Sequence, residues 1–356
     1  MPHTDIPSTQ FGVLTNAKSS KLQQFPVPAP GAGEVLIQNV AVASNPKDWK
    51  IPNFQPGYEA IEGNDVAGIV VAVGEGVSEY KVGSRVAAFT KMATRDNKVR
   101  STAESYYGAY AQYSVAPAST TFPVPNTTSF EGASTLPLAS MTAAIGLFKI
   151  LGIPQEWDKS SNKGIIINGA STSVGSYAVQ LAKKAGLFVI GIAGSSKAYP
   201  LSLGADVVLD YRQHSGEELI SAIVESSGGR DISYAYDAAG LNNSTLLLAR
   251  ALAKTSTNGH GKVTSVLPFD AHDQLPKGVT VERTSVGAAY GVFEDFAAPF
   301  YRQISRWLAT SEFLPNQVKI IPGGLAGVEE GLKLLKNGQV HGEKLVYRIA
   351  DTPGSQ

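Results

Sequence analysis

Cysteine is absent from the 356-residue sequence. Disulfides and thiolate metal ligands are thereby excluded, and the composition fits a reducing compartment. Histidine is scarce: five residues, at 3, 214, 260, 272 and 341, with no helical i,i+4 pair. A transition-metal site needs several nitrogen or sulfur ligands at compatible spacing, so no metal is expected. Charge of one sign is lacking too. Lys and Arg number 30 against 30 Asp and Glu, which leaves no electrostatic reason to expect nucleic acid or an anionic membrane as partner. The opening MPHTDIPSTQFGVL has no charged-then-apolar signal pattern. No apolar run is expected to approach the ~20 residues that span a bilayer. Together these absences predict a cytoplasmic protein. What is present, 43% hydrophobic and 17% charged residues, suits a globular chain long enough for two domains.

Residues 11–125 read as β-rich: GEVLIQNVAVAS (33–44), DVAGIVVAVGEGV (65–77) and SRVAAFT (84–90) are β-branched runs. Glycines 68, 74, 76 and 83 punctuate them, as expected of a small, strongly bent barrel. The polar stretch 91–107 reads as an exposed loop. From about 131 the apolar period becomes helical. Strands at 164–168, 188–193, 205–211, 232–240 and 262–269 then alternate with helices at 174–185, 196–203, 216–226 and 243–253. That order predicts an α/β domain with a doubly wound parallel sheet. Helices at 300–310 and 327–339 and a strand in EKLVYRI close the chain. The expected domains are 1–131 with 300–356, and 132–299.

A G-x-G-x-x-G fingerprint is mostly missing. Gly175 takes its last position, but Ala170 and Thr172 take the first two. GASTSVG nevertheless keeps what a phosphate-binding turn needs: small residues, a helix start near Val174, and hydroxyls on Ser171, Thr172 and Ser173 that can bind phosphate or cap the helix. An ordinary capped β–α turn would look the same.

GASTSVGSYAVQLAKKAG resembles the AxxGGVG turn of the zinc-independent medium-chain dehydrogenases/reductases, the quinone/enoyl reductase branch. DVAGIVVAVGEGVSEYKVGSRV is similar to that family's barrel signature, and HGEKLVYRI to its closing strand. NPKDWK (45–50) and LPLASMTAAIGLF (136–148) are most like fungal trans-acting enoyl reductases of the lovastatin type. The resemblance implies a Rossmann-like sheet plus a GroES-like β-barrel. Ser84 departs from the family's usual Asp, and Thr172 and Ser173 replace its paired glycines.

In NAD-binding versions an acid ends the second strand and accepts the ribose hydroxyls. Here GIAGSSKAYP stands at that place, with no acid from 187 to 205. The hydroxyl of Ser195 and the ammonium of Lys197 suit a 2′-phosphate, and Tyr211 could close the pocket. These three match the positions that hold the 2′-phosphate in related reductases, which makes NADPH the expected cofactor. The resemblance also places Leu267, in VLPF, beside the nicotinamide, and Lys344 at a turn closing over the cofactor. Where zinc relatives carry a Cys and a His-Glu pair, this chain has NPKD and Asn64-Asp65, closing the zinc route.

What remains is hydride transfer to an electrophile whose developing oxyanion must be held. An activated C=C, as in an enone, enal, quinone or enoyl thioester, suits such a site. Lys50 and Thr142 correspond to polar active-site positions of the fungal enzymes, with Asp48 orienting Lys50. Each also has a plainer reading, a surface lysine and a helix-bonded threonine. An aldehyde reductase keeps the cofactor but needs a stronger acid. A non-catalytic NADPH-binding protein would keep only the phosphate turn. No Tyr is followed by Lys four residues on, which disfavours a short-chain dehydrogenase. The expected partners are a small-molecule substrate and a polyketide synthase carrier domain. Relatives suggest either a monomer or a homodimer.

Overall fold

The computed structural model describes residues 6–91, 107–155, 162–214, 216–241 and 243–354. The stretch read as a loop at 91–107 lies outside them except for its two end residues. The chain divides into two compact units, Met1–Leu138 with Gly287–Gln356, and Ala139–Val286. The sequence-based boundaries stood at 131/132 and 299/300.

The first unit opens with β1 (Thr9–Asn16), β2 (Ser20–Pro26), β3 (Glu34–Ala43), helix α1 (Lys47–Phe54), β4 (Glu59–Ile61), β5 (Asp65–Val73), β6 (Arg85–Phe89), β7 (Tyr113–Pro117), β8 (Thr121–Pro123) and α2 (Phe130–Ala133). α3 (Pro137–Ala144) continues as a π-helical stretch, Ile145–Ile150, into the second unit. That unit then alternates β9 (Lys163–Asn168), α4 (Ser173–Lys184), β10 (Phe188–Ala193), α5 (Ala198–Ser202), β11 (Val207–Asp210), α6 (Gly216–Ser227), β12 (Asp231–Asp237), α7 (Ser244–Thr255), β13 (Gly261–Ser265) and β14 (Val279–Arg283). The chain returns to the first unit as α8 (Glu294–Ala309), β15 (Val318–Ile320), α9 (Val328–Lys336) and β16 (Lys344–Arg348).

In the first unit one sheet runs β15-β16-β3-β5-β6-β8, with β7 also on β3, and a smaller one runs β2-β1-β4. This is the GroES-like barrel. Its core joins Val35, Val42, Val66 and Val86 from the strands to Tyr110 and Tyr347. The second unit's sheet runs β11-β10-β9-β12-β13-β14, and every pairing in it is parallel. β9 and β10 read GIII and VIGIA without polar alternation, because helices cover both faces of a parallel sheet. Ile166, Ile190, Ile232, Leu248 and Leu252 form its core.

Several elements were not foreseen: β1, β2, β4 and β15, which are short or polar, and β14, whose alternating VTVER is only five residues long. α8 starts at Glu294 rather than 300, carrying Pro299 within it. The expectation about apolar runs needs correcting. Phe130–Ile150 is long and apolar enough to cross a membrane, but 83% of its most apolar window is buried in the fold. It is a core helix whose apolarity faces protein.

Much of that core is phenolic. Tyr110, Tyr177, Tyr236, Tyr301 and Tyr347 are among the largest fully buried side chains. Tyr301 donates to the Pro137 carbonyl at 2.7 Å, and Tyr236 to the Thr142 carbonyl at 2.8 Å. Such bonds are needed, since a buried hydroxyl without a partner is costly.

Candidate functional site

Between β9 and α4 the chain turns at Gly169, whose φ of +69° favours glycine. Thr172 caps α4: its Oγ1 accepts from the Gly175 N–H at 3.0 Å. The expected hydroxyl therefore serves the helix, and the cap rigidifies its first turn. The Val174 N–H, one residue into α4, has no intrahelical acceptor by construction and adds to the positive end of the helix dipole. Ser171, Ser173 and Val174 are half-buried around it. A Cβ on Gly175 would stand 2.1 Å from the Gly169 carbonyl oxygen. Only glycine lets the helix start press this closely on the turn.

Asp237, at the end of the neighbouring β12, fixes the other side of the turn. Its fully buried carboxylate accepts from Asn168 Nδ2 (2.9 Å), Ala239 N (3.2 Å), Gly240 N (2.8 Å), Ser244 Oγ (2.6 Å) and Thr245 Oγ1 (2.7 Å). Leu267 packs on Gly240, where an added Cβ would meet it at 2.8 Å, and its own N–H donates to Ser265 Oγ at 3.2 Å.

The adjacent strands β10 and β11 bring Ser195, Lys197 and Tyr211 to one corner. Ser195 and Lys197 are exposed on the turn after β10. The Tyr211 ring lies over Gly194, with 3.0 Å to a Cβ built there. The structure adds Arg212, which sequence reasoning missed. It clasps Asp210 through Nε–H to Oδ1 (2.9 Å) and Nη2–H to Oδ2 (2.6 Å). These bonds, with a contribution from Lys197, hold the Asp210 carboxyl well below the usual range. Asp210 is thus neutralised by Arg212, which leaves the Lys197 ammonium to set the sign of the corner.

In the first unit α1 carries the other candidates. Asp48 does not orient Lys50. It is fully buried, accepts from the Asn45 N–H (2.8 Å) and the Tyr110 hydroxyl (2.6 Å), and faces the Lys47 ammonium at 3.1 Å. Asp48 and Lys50 are i,i+2 on a helix and so point apart. Lys47 also donates to Glu62 at 2.7 Å, and Glu62 accepts from the Tyr58 hydroxyl. Burial opposes the Lys47 charge, but the Glu62 and Asp48 carboxylates outweigh it and hold the ammonium above lysine's ordinary range. Burial, with Asp48 adding, pushes the Glu62 carboxyl up, against the opposing pull of Lys47. Lys50 is half-buried with its ammonium 5.7 Å from the Trp49 ring centroid. No carboxylate among the described residues forms an ion pair with it. Thr142 lies in the second unit, buried in α3, its carbonyl accepting from Tyr236.

Lys344 does not stand at an open turn. It is the first residue of β16, buried, pairing with Asp65 at 2.9 Å and donating to Asn45 Oδ1 at 2.5 Å. Asn45 Nδ2 in turn donates to Asp65 Oδ2 at 2.8 Å. Its charge is matched within the barrel. These residues do not fit zinc: Asn45 and Asn64 offer amides, and an ammonium already sits on Asn45 and Asp65. Among the described residues no group of three or more His, Cys, Asp or Glu could hold a metal ion.

A GroES-like barrel and a Rossmann-type sheet on one chain define the medium-chain class of dehydrogenases and reductases. Residues 31–126 match the alcohol dehydrogenase GroES-like domain, and residues 173–305 the zinc-binding dehydrogenase model. The chain is 31% identical to trans-enoyl reductase fsr4 of Gibberella fujikuroi, over 85% of this chain and 87% of that protein. It is 30% identical to trans-enoyl reductase caaB of Aspergillus niger, over 97% and 98%. Its fold is like that of a crotonyl-CoA carboxylase/reductase, AntE, solved as a variant in complex with NADP, at a TM-score of 0.76 and 18% identity, covering 99% of this chain and 98% of that one. The chain belongs to the medium-chain dehydrogenase/reductase superfamily, in the quinone/enoyl reductase branch that includes the fungal trans-enoyl reductases.

Proposed function

We propose that the chain is a zinc-independent, NADPH-dependent reductase of a C=C conjugated to a carbonyl. The observation that carries this is a capped, glycine-pressed helix start beside a corner where Asp210 is clasped by arginine. Helix-start N–H groups favour a pyrophosphate, and the corner of Ser195, Lys197, Tyr211 and Arg212 favours a 2′-phosphate over bare hydroxyls. The likeness to two enzymes named trans-enoyl reductases, and to the fold of one holding NADP, supports the reading. The second unit is the dinucleotide-binding domain and the barrel unit the substrate domain.

When bound, the coenzyme supplies a hydride to the β-carbon. The chain's own task is to hold the oxygen on which negative charge then develops. Lys50 suits it, because among the described residues its ammonium has no carboxylate to satisfy and can donate to an enolate oxygen. Thr142, Leu267 and the turn residues Ser171, Thr172, Ser173 and Val174 are assigned to positioning and coenzyme contact. A small α,β-unsaturated carbonyl is the substrate class, and a carrier-bound enoyl thioester falls within it.

Following NADPH and NADH oxidation with an enone, a quinone, an aldehyde and an enoyl thioester tests the reading. The conjugated alkenes should be reduced, with NADPH strongly preferred. Turnover of the aldehyde alone, or equal use of both coenzymes, would overturn it.

A further inference from the structure

α1 holds a second lysine, which the proposed reaction does not use. Lys47 lies one turn before Lys50, and positions i and i+3 share a helix face. Its ammonium touches two carboxylates, Glu62 at 2.7 Å and Asp48 at 3.1 Å. Those acids are sealed, with side chains 3% and 0% exposed, while that of Lys47 is 20% exposed. Behind them runs a continuous series of hydrogen bonds. The Tyr110 hydroxyl donates to Asp48 Oδ2 at 2.6 Å, Ser44 Oγ bonds Tyr110 at 2.8 Å, and Ser44 Oγ bonds Tyr347 at 2.7 Å. On the other side Glu62 accepts from the Tyr58 hydroxyl, and from Gly63 N–H at 3.2 Å. Ser44, Tyr58, Tyr110 and Tyr347 are all buried. Lys47 is therefore the open end of an otherwise buried proton-bearing network.

Two roles for that open end can be weighed. As an anchor for an anionic substrate Lys47 is poor, since two carboxylates already match its charge. As a source of a proton it is well built. An ammonium has three N–H groups, and two carboxylates leave one for a third acceptor. The Asp48 carboxylate faces that ammonium through Oδ1, 3.1 Å away. A proton that leaves Lys47 can be replaced from solvent at its exposed edge, while Glu62 and Asp48 hold the amine in place. An enolate carbon is a far stronger base than an amine, so the transfer is downhill even from a lysine held above its ordinary range.

We propose that Lys47 is the acid that protonates Cα of the reduced alkene, with Glu62 as the positioning residue that holds its ammonium in place. This rests on the proposed alkene reduction. The hydride from the coenzyme forms the Cβ–H bond, oxidising the coenzyme and leaving the C=C electron pair as an enolate. A Lys47 N–H bond then breaks, nitrogen keeps its pair, and the enolate pair forms Cα–H. Solvent returns a proton to the amine at its exposed edge, so one hydride and one proton are consumed per turnover.

The test is reduction of an α-methyl enoyl thioester of N-acetylcysteamine by NADPH in D2O, reading the configuration of the deuterated Cα. Wild type is expected to give one epimer. Lys47→Arg keeps the charge and can pair with both carboxylates, but a guanidinium does not give up its proton. It and Lys47→Met should lower kcat about 10²-fold and give a mixture near 1:1, deuterated from bulk solvent, while retaining the wild-type circular dichroism. Glu62→Gln should keep the single epimer with a reduced kcat. A single epimer at undiminished kcat from a folded Lys47→Arg overturns the proposal, as does a mixture from wild type. Failure of wild type to reduce any conjugated alkene overturns the alkene reading itself and this role with it.

Discussion

Replacing Gly175 by alanine probes the close approach on which coenzyme binding is argued to depend. The added Cβ would lie 2.1 Å from the Gly169 carbonyl oxygen, 2.8 Å from its carbon and 2.9 Å from Ala170 Cα. All three are backbone atoms, so no side chain can swing aside. Ordinary contact begins at 3.4 Å, so the helix start and the turn must part by roughly 1 Å. Overpacking of this kind costs about 1–3 kcal/mol. For a unit of this size, 2 kcal/mol lowers Tm by about 4–8 °C. The larger effect falls on binding, because a donor moved 1 Å from a phosphate oxygen no longer makes a hydrogen bond. Losing one charge-assisted bond, at ~1.5–3 kcal/mol, weakens binding about ten- to a hundredfold. Calorimetric titration with NADPH and a thermal melt read both quantities. Gly216→Ala is the control: its nearest neighbour would be Leu247 Cδ1 at 3.9 Å, and Tm should hold or rise slightly. A Gly175→Ala protein that binds NADPH and melts like wild type would refute the argument.

Lys197→Ala should narrow the NADPH over NADH preference about tenfold; an unchanged ratio of dissociation constants removes Lys197 from the pocket. Lys50→Met should lower kcat/KM about 10²-fold while the NADPH dissociation constant stays put, and a loss confined to coenzyme binding would contradict its assignment to the substrate oxygen. Glu62 gives a pH signature. Its carboxyl is raised in the fold, so the folded state holds that proton more tightly than the unfolded one. The resulting stability is present at low pH and fades as pH rises through the folded value. Glutamine does not titrate, so the Tm of wild type relative to Glu62→Gln should be greater near about pH 5 than near about pH 8. The opposite slope would show that the Lys47 pairing dominates.

The local parts of the site were readable in the sequence. The turn at 169–175 is set by small residues and a capping hydroxyl within a few positions, and the structure shows Thr172 capping α4. Strands β9 and β10 of the parallel sheet were legible as unbroken apolar runs. Reading failed where partners are distant along the chain or where adjacency misleads. Asp48 and Lys50 look paired because they are near neighbours, yet helix geometry turns Asp48 toward Lys47, Tyr110 and the Asn45 N–H. Glu62 reaches Lys47 from just before β5, and Asp65 meets Lys344 from the far end of the chain. Neither pair leaves a local trace. Arg212 stands only two residues from Asp210 in LDYRQ, yet it escaped notice because the resemblance there points to Tyr211 rather than to the acid that Arg212 clasps.

The phenol-rich interior sets an alkaline limit. Burial holds the hydroxyls of Tyr80, Tyr110, Tyr290, Tyr301 and Tyr347 in the barrel unit, and of Tyr236 in the other, above their ordinary ionisation range. Above about pH 10 an unfolded chain releases these protons and the folded one does not. Each such group then tilts the balance toward unfolding by about 1.4 kcal/mol per pH unit. Five together in one unit amount to roughly 7 kcal/mol per unit, against a typical domain stability of about 5–15 kcal/mol. In base this protein should therefore denature abruptly, within one or two pH units of tyrosine's normal titration.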